Sequence, residues 1–463
     1  MKKFIPLMIF IIFFILGIIS NLFIDNNISI VLFTIASISI TYYFYTRKET
    51  LKDITENSTK LLSFALTFIL IAAASLYATS YLKNYVNTLK NRVKDYVAPV
   101  ELVAIATYSE AETDLSLQTY TSAMDDTSLV IVKNNSDVII RSSKFEKYNG
   151  TSTNCEYSNL YGLNALYLNK AGSHSLLTTS ELISEEKCAI PLFATGEKSY
   201  VEVTDTRIMS RSSNNSSAIV ATIGGEIRGN NITVVTKGKN SPAIKVLEDS
   251  KLEASNSLFE TASFHSPTIY TEGEVSLENV TGTSNQDKTI YLKENGKVSI
   301  AACSFLSAGR GDTIDTHSAI DITGSKNELN IKDSSINISN KNLYYDVASI
   351  FYIHDAESSI DLENTTFLIG SDTFLKTKDS NIEMNLKDEK IEGDFIIDNS
   401  TLKMNLENSS LTGNIDNVIL TLDEKSTITL TKDTYLKELH NQKEDNSNID
   451  YNGYKLYVNN QEI

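Results

Sequence analysis

Val138-Ile139-Ile140-Arg141-Ser142-Ser143-Lys144-Phe145 decides the fold of this chain. The pattern is apolar, any, apolar, any, and an apolar residue at every second position is the period of a half-buried strand. A small polar residue follows, and three positions later comes another apolar one. The same pattern runs from Val201 through Asp205 to Ile208, from Leu252 through Asn256 to Phe259, and from Leu329 through Asp333 to Ile336. It recurs from Ile360 through Asn364 to Phe367, from Met384 through Asp388 to Ile391, and from Met404 through Asn408 to Leu411. Val298 to Phe305 fits too, with Ala302 at the polar position. Asn and Asp tolerate left-handed backbone and hydrogen-bond their own chain, so the polar position is expected to turn a sharp corner between two short strands.

A second anchor precedes most copies: Ala189-Ile190, Ala218-Ile219, Ala243-Ile244, Thr268-Ile269, Thr289-Ile290, Ala319-Ile320 and Ser349-Ile350. Successive anchors lie 29, 25, 25, 21, 30 and 30 residues apart. A unit of that size with two or three short strands cannot bury its apolar side alone. It has to stack on its neighbours at ~4.8 Å per strand, which makes a solenoid. The longer coils are expected to place their extra residues in loops, where function concentrates. A β-sandwich, a propeller and a leucine-rich repeat each need a period or a frame that is absent.

Upstream of the repeats the chain changes character. Phe4 to Phe23 carries no charge, and apolar runs follow at Ile28 to Tyr45 and Leu61 to Leu82. Twenty residues at 1.5 Å each reach ~30 Å, a bilayer's hydrocarbon thickness, so three transmembrane helices are expected. Lys2, Lys3, Arg47, Lys48, Lys52 and Lys60 favour one side. Lys83, Lys90, Arg92 and Lys94 form a smaller opposing group after the third span. The bias places the C-terminal domain outside a bacterial plasma membrane. Leu82, Val86, Leu89, Val93 and Tyr96 make an apolar stripe that extends the third helix as a stalk.

The expected organisation is a membrane anchor at 1–82, a helical stalk and linker at 83–127, a parallel β-helix at 128–440 and a C-terminal cap at 441–463. The cap is suggested by Tyr451-Asn452-Gly453-Tyr454, since Asn-Gly between alternating apolar residues signals a hairpin. In full, the expected fold class is all-β, a right-handed parallel β-helix preceded by three transmembrane α-helices.

Residues 1–98 hold ten Lys/Arg and five Asp/Glu, leaving 31 and 53 for the remainder. So acidic a domain repels phosphate backbones, which excludes nucleic acid as a partner. Three cysteines do not make a disulfide-rich scaffold. Cys155 and Cys188 are placed to pair outside the cell or to remain free, whereas Cys303, in Ser299-Ile300-Ala301-Ala302-Cys303, has the setting of a buried thiol.

The tail carries a family likeness. Phe395-Ile396-Ile397-Asp398-Asn399-Ser400, Leu411-Thr412-Gly413-Asn414-Ile415 and Leu420-Thr421-Leu422-Asp423-Glu424-Lys425-Ser426-Thr427 resemble closing coils of adhesin-like β-helix proteins. With the repeats, they make residues 128–463 similar to the pectin-lyase-like, right-handed parallel β-helix superfamily of bacterial surface proteins. That resemblance implies surface display but no single activity, because the superfamily spans lyases, hydrolases, sugar-binding domains and adhesins. The Asn-Thr-Asp, Asp-Asp, Gly-His-Gly and Arg-x-Lys set of its polygalacturonase-like members is absent.

The densest concentration of chemistry is Arg310-Gly311-Asp312-Thr313-Ile314-Asp315-Thr316-His317. Asp312 and Asp315 are candidates to hold a cation, with calcium the fitting choice, and Arg310 to face a sugar carboxylate. His317 completes this loop set, and no other cofactor is expected. His174, His265, His317 and His354 lack metal-ligand spacing. The functional expectation is a membrane-anchored, non-catalytic surface module for adhesion or glycan binding, its partners a bilayer and a glycan or neighbouring surface protein. The alternative is a polysaccharide lyase or glycoside hydrolase acting on acidic glycans through the 310–317 loop.

Overall fold

The computed structural model describes residues 98–463, apart from 212, 213 and 342. They form a parallel β-helix in which each turn of chain lays short strands against those of the turns before and after it. Among the described residues the strands fall into sheets of 24, 10, 4 and 3. The largest contains both the first and the second face of the rod. Those faces are joined where Ser318–Lys332 and Ser349–Glu363 run unbroken across the corner. The ten- and four-stranded sheets make the third face.

The pattern that opened the sequence is the corner between the second and third faces. Ser142, Asp205, Asn256, Asp333, Asn364, Asp388 and Asn408 all have φ between 48° and 55°. Ala302, the exception in type, adopts φ 53° as well. Side-chain amides link these corners from coil to coil: Asn231 Nδ2 donates to Asp205 Oδ1 at 2.6 Å and Asn364 Nδ2 to Asp333 Oδ1 at 2.7 Å. One position further on, a hydroxyl commonly accepts a backbone N–H from the preceding coil. Ser143 N donates to Ser180 Oγ, and Ile232 N to Ser257 Oγ. Cys303 is buried and free, as expected, but it is more than filler: its Sγ accepts from Val280 N at 3.3 Å, in the hydroxyl's place.

The anchor isoleucines Ile219, Ile244, Ile269, Ile290 and Ile320 stand in one inward-facing register column. Two anchors miss it. Leu192, not Ile190, pairs with Ile219, and Phe351, not Ile350, pairs with Ile320. On the third face the inward column runs through Phe259, Gly282 and Phe305. Gly282 is glycine because the Phe305 ring fills its side-chain space; a Cβ there would meet Phe305 Cε1 at 2.3 Å.

Among the described residues the fold class does not include three transmembrane α-helices, which corrects the expectation from the N-terminal segments. Those segments, and the proposed stalk helix after them, lie outside the described residues. Among the described residues no helix is long and apolar enough to cross a membrane. The α-helix that is described, α1 (Cys155–Tyr161), has seven residues and reaches only ~10 Å. The fold class is all-β.

Both ends of the β-helix also differ from expectation. Val103–Ser109, Glu112–Ser116 and Thr119–Thr121 pair in parallel with the following coil, so a complete coil stands where a linker was expected. At the C-terminus, Ile449–Asp450 and Leu456–Val458 each stack in parallel on an earlier strand rather than on each other. Asn452-Gly453 therefore turns a coil corner. The antiparallel turn is at Asn459 and Asn460, with φ 48° and 63°, which folds Gln461–Glu462 back onto Leu456–Val458.

Candidate functional site

On the first face, one outward-pointing register column runs Ile131, Leu168, Phe193, Val220, Lys245, Tyr270, Tyr291, Asp321, Tyr352, Lys376. Its first four members are apolar and buried in a cluster separate from the main core. They are covered by α1, whose end packs on Leu168 and Phe193, together with Leu102 and Ala104. That helix sits in the one long insertion between early coils. Asn154 caps its start, accepting from Tyr157 N at 3.1 Å, and Gly162 ends it at φ 76°. A Cβ on Gly162 would meet Leu168 Cδ1 at 2.6 Å, which shows how closely the cover fits. A disulfide from Cys155 to Cys188, Cα atoms 5.3 Å apart, ties the helix to the next coil.

Where α1 ends, the column becomes polar and aromatic, and a groove opens. Lys245 Nζ, 3.5 Å from Asn159 Oδ1, marks the helix end of it. The cavity measures about 380 Å³ and includes Tyr270, Asp287, Lys288, Tyr291, Asp321, Tyr352 and His354 in its lining. That is ligand-sized. The Tyr270 and Tyr291 rings meet edge to face at 5.5 Å. Three ammonium groups surround them: Lys245 Nζ lies 5.3 Å from the Tyr270 ring centre, Lys288 Nζ 4.7 Å from that of Tyr291, and Lys293 Nζ 5.7 Å from that of Tyr270. Tyr352 stacks on His354 at 4.8 Å.

At the centre, Lys288 Nζ contacts Asp321 Oδ2 at 2.5 Å, with both side chains nearly buried. Asp321 Oδ1 makes no hydrogen bond and lies 3.4 Å from His354 Nε2. Burial acts to raise the Asp321 pKa, but His354 and Lys288 prevail and hold its carboxyl below the usual range. Burial pulls Lys288 down, yet Asp321 and Asp287 outweigh it and raise the ammonium. Asp287 behaves oppositely to Asp321: burial pushes its carboxyl up to about 7, against a smaller pull from Lys288. Burial also lowers Lys245, with Glu272 only partly opposing.

Of the four loop residues singled out from sequence, Asp312 alone lines this groove, and Arg310 lines a smaller pocket beside it. Arg310 lies over Phe264, its Cζ 3.6 Å from the ring centre, and 5.4 Å from that of Tyr344. Its guanidinium is thus held by aromatic faces. Asp312 is exposed and 3.4 Å from His265 Nδ1. Asp315 is exposed in a single 3-10 turn, Ile314–Thr316. His317 is buried, and its Nδ1 accepts from Gly311 N at 2.9 Å, which pins the loop; burial lowers its pKa. Among the described residues no group of three or more His, Cys, Asp or Glu is arranged to hold a metal.

Sequence reasoning missed the groove's own residues, although a signal existed. Lys245, Tyr270, Tyr291 and Asp321 each follow an anchor isoleucine directly, and the next residue on a strand faces the opposite way. A larger trough, about 900 Å³, runs along the second face over Asn330, Asp361, Asn385 and Asn405. Several of its rungs satisfy one another: Asn385 donates to Asp361 at 2.7 Å and Asn405 to Asn385 at 2.8 Å. Its lining includes no aromatic ring, so the first-face groove is the better candidate. No protein-family model, no curated protein and no solved structure matches this chain.

Proposed function

We propose that the β-helix is a non-catalytic glycan-binding module of the pectin-lyase-like type, displayed at a cell surface, which takes its ligand in the first-face groove. The observation that carries this reading is the change in the outward column. Apolar residues end where α1 ends, and Lys245, Tyr270, Tyr291, Asp321, Tyr352 and Lys376 follow with one side chain per coil. Tyrosine faces suit the apolar side of a sugar ring, while hydroxyls and ammonium groups suit its rim. Asp321 supports binding over cleavage: Lys288 engages one carboxylate oxygen and His354 faces the other. The Cys155–Cys188 disulfide favours an oxidising compartment.

The test is a panel of neutral and acidic cell-wall and matrix glycans, titrated against the full chain and against Tyr270→Ala/Tyr291→Ala. Losing two stacking faces is expected to weaken binding about tenfold or more. A panel with no binder, or equal affinity for both proteins, ends this reading. Turnover of any glycan ends the non-catalytic part of it.

A further inference from the structure

We propose that Lys288 and Asp321 are joined by an intramolecular isopeptide bond that staples two neighbouring coils beneath the groove. The pairing of Ile290 with Ile320 and of Tyr291 with Asp321 puts Lys288 and Asp321 on adjacent turns, and the Lys288 side chain reaches along the face from three residues before Tyr291 to Asp321. Lys288 Nζ and Asp321 Oδ2 are 2.5 Å apart, and the side chains are only 12% and 6% exposed. Surface pairs elsewhere on the rod, such as Lys297–Glu328 at 52% and 49%, lie in water, which competes for both groups. The Tyr291 ring beside Nζ helps shield this pair from it.

The chemistry balances without an oxidant or any co-reactant. One proton passes from the ammonium to Asp321 Oδ2, turning the ion pair into an amine and a carboxylic acid with no change in net charge. Burial acts on both groups in the direction of that neutral pair, although their mutual attraction keeps the ion pair as the resting form, so the bond forms through the minor neutral form. The amine nitrogen attacks Cγ, forming the N–C bond. The Cγ–Oδ2 bond breaks, and Oδ2 departs as water with two of the three protons first carried by Nζ. The third stays on the amide nitrogen. Holding the reacting groups in contact supplies the entropy that an intermolecular condensation lacks. His354 Nε2, 3.4 Å from Oδ1, stands where negative charge develops during attack. Asp287 precedes Lys288 in the chain and lines the same cavity, and its buried carboxyl keeps a proton to about pH 7. It serves as the proton carrier between nitrogen and leaving oxygen.

This inference stands independently of the glycan reading. The measurement is the intact mass of the purified full chain after disulfide reduction, followed by peptide mapping. The expected result is a mass lower than the sequence mass by one water, with a branched peptide joining the segments that hold Lys288 and Asp321. Lys288→Met is expected at its full sequence mass, and Asp321→Asn at a mass lower by one ammonia, because the same bond forms from the carboxamide. Full sequence mass for the unmodified chain, with separate linear peptides covering both residues, overturns the proposal. A cross-link that persists in Asp287→Asn overturns the role given to Asp287.

Discussion

Glu389 occupies a corner position that serine, threonine or cysteine holds in most neighbouring coils. Its Oε1 does the hydroxyl's work, accepting from Thr365 N at 2.8 Å, while Oε2 is buried without a hydrogen bond. Burial pushes this carboxyl up to about 7, well above its ordinary 4.5. The folded chain therefore holds a proton that the unfolded chain releases near pH 4.5. Stability is highest below that value and is lost as pH climbs to about 7, by roughly 3 kcal/mol for this group. Asp287 is raised into the same window, and His354 is raised and His317 lowered within it, so Glu389 is one of several sources of the wild-type slope. Glu389→Gln keeps the acceptor and removes one of them. Denaturant midpoints of both proteins at pH 5 and pH 8 are expected to show a smaller drop for the variant. Equal drops in the two proteins would mean that Glu389 is not buried as a neutral acid.

At the scale of elements, the corners were legible because one local rule decides them. A left-handed residue between two alternating strands reads directly from Asp205 or Asn256, and all the quoted copies obey it. Register was partly legible, since the anchor isoleucines lock together from Ile219 to Ile320 but slip at Ile190 and Ile350, where neighbouring apolar residues compete for one slot. What defeated sequence reading was anything that depends on stacking. The groove's side chains are spaced by whole coils of unequal length, and α1 carries too short a pattern to be recognised. That helix gives a test of its own. Seven residues do not hold a helix in water, so its cover over Leu168 and Phe193 depends on packing and on the Cys155–Cys188 tie. The tie closes a separation of 33 residues and is worth about 3–4 kcal/mol by chain entropy. Replacing both cysteines by serine is expected to raise binding of a hydrophobic dye and to expose the 150–165 segment to protease, with the coils beyond Lys245 unchanged. Unaltered protease resistance at that segment would show that packing alone secures the cover.

The described residues form one stack from end to end, and a stack distributes stability differently from a globule. Its core is continuous, one apolar cluster from Tyr120 to Leu456, yet each coil touches mainly the coils before and after it. Stability is then a sum of coil and interface terms, and damage stays near its origin. Phe259 lies between Val234 and Gly282, while Leu402 lies between Ile382 and Val418, many coils away. Phe259→Ala is expected to cost about 3–5 kcal/mol and Leu402→Ala about 2–5 kcal/mol locally. Combined, they are expected to add to within about 0.5 kcal/mol, because the sites share no partner. Hydrogen exchange gives the sharper readout. Each variant is expected to lose amide protection in its own coil and the adjoining ones, leaving the other variant's coils as protected as before. The Lys288–Asp321 staple, where formed, stands between the two sites and confines the Phe259 disturbance to its own side. Protection lost evenly from Val103 to Val458 in both variants would mean that the rod opens as one cooperative unit, and the nearest-neighbour account of its stability would fail.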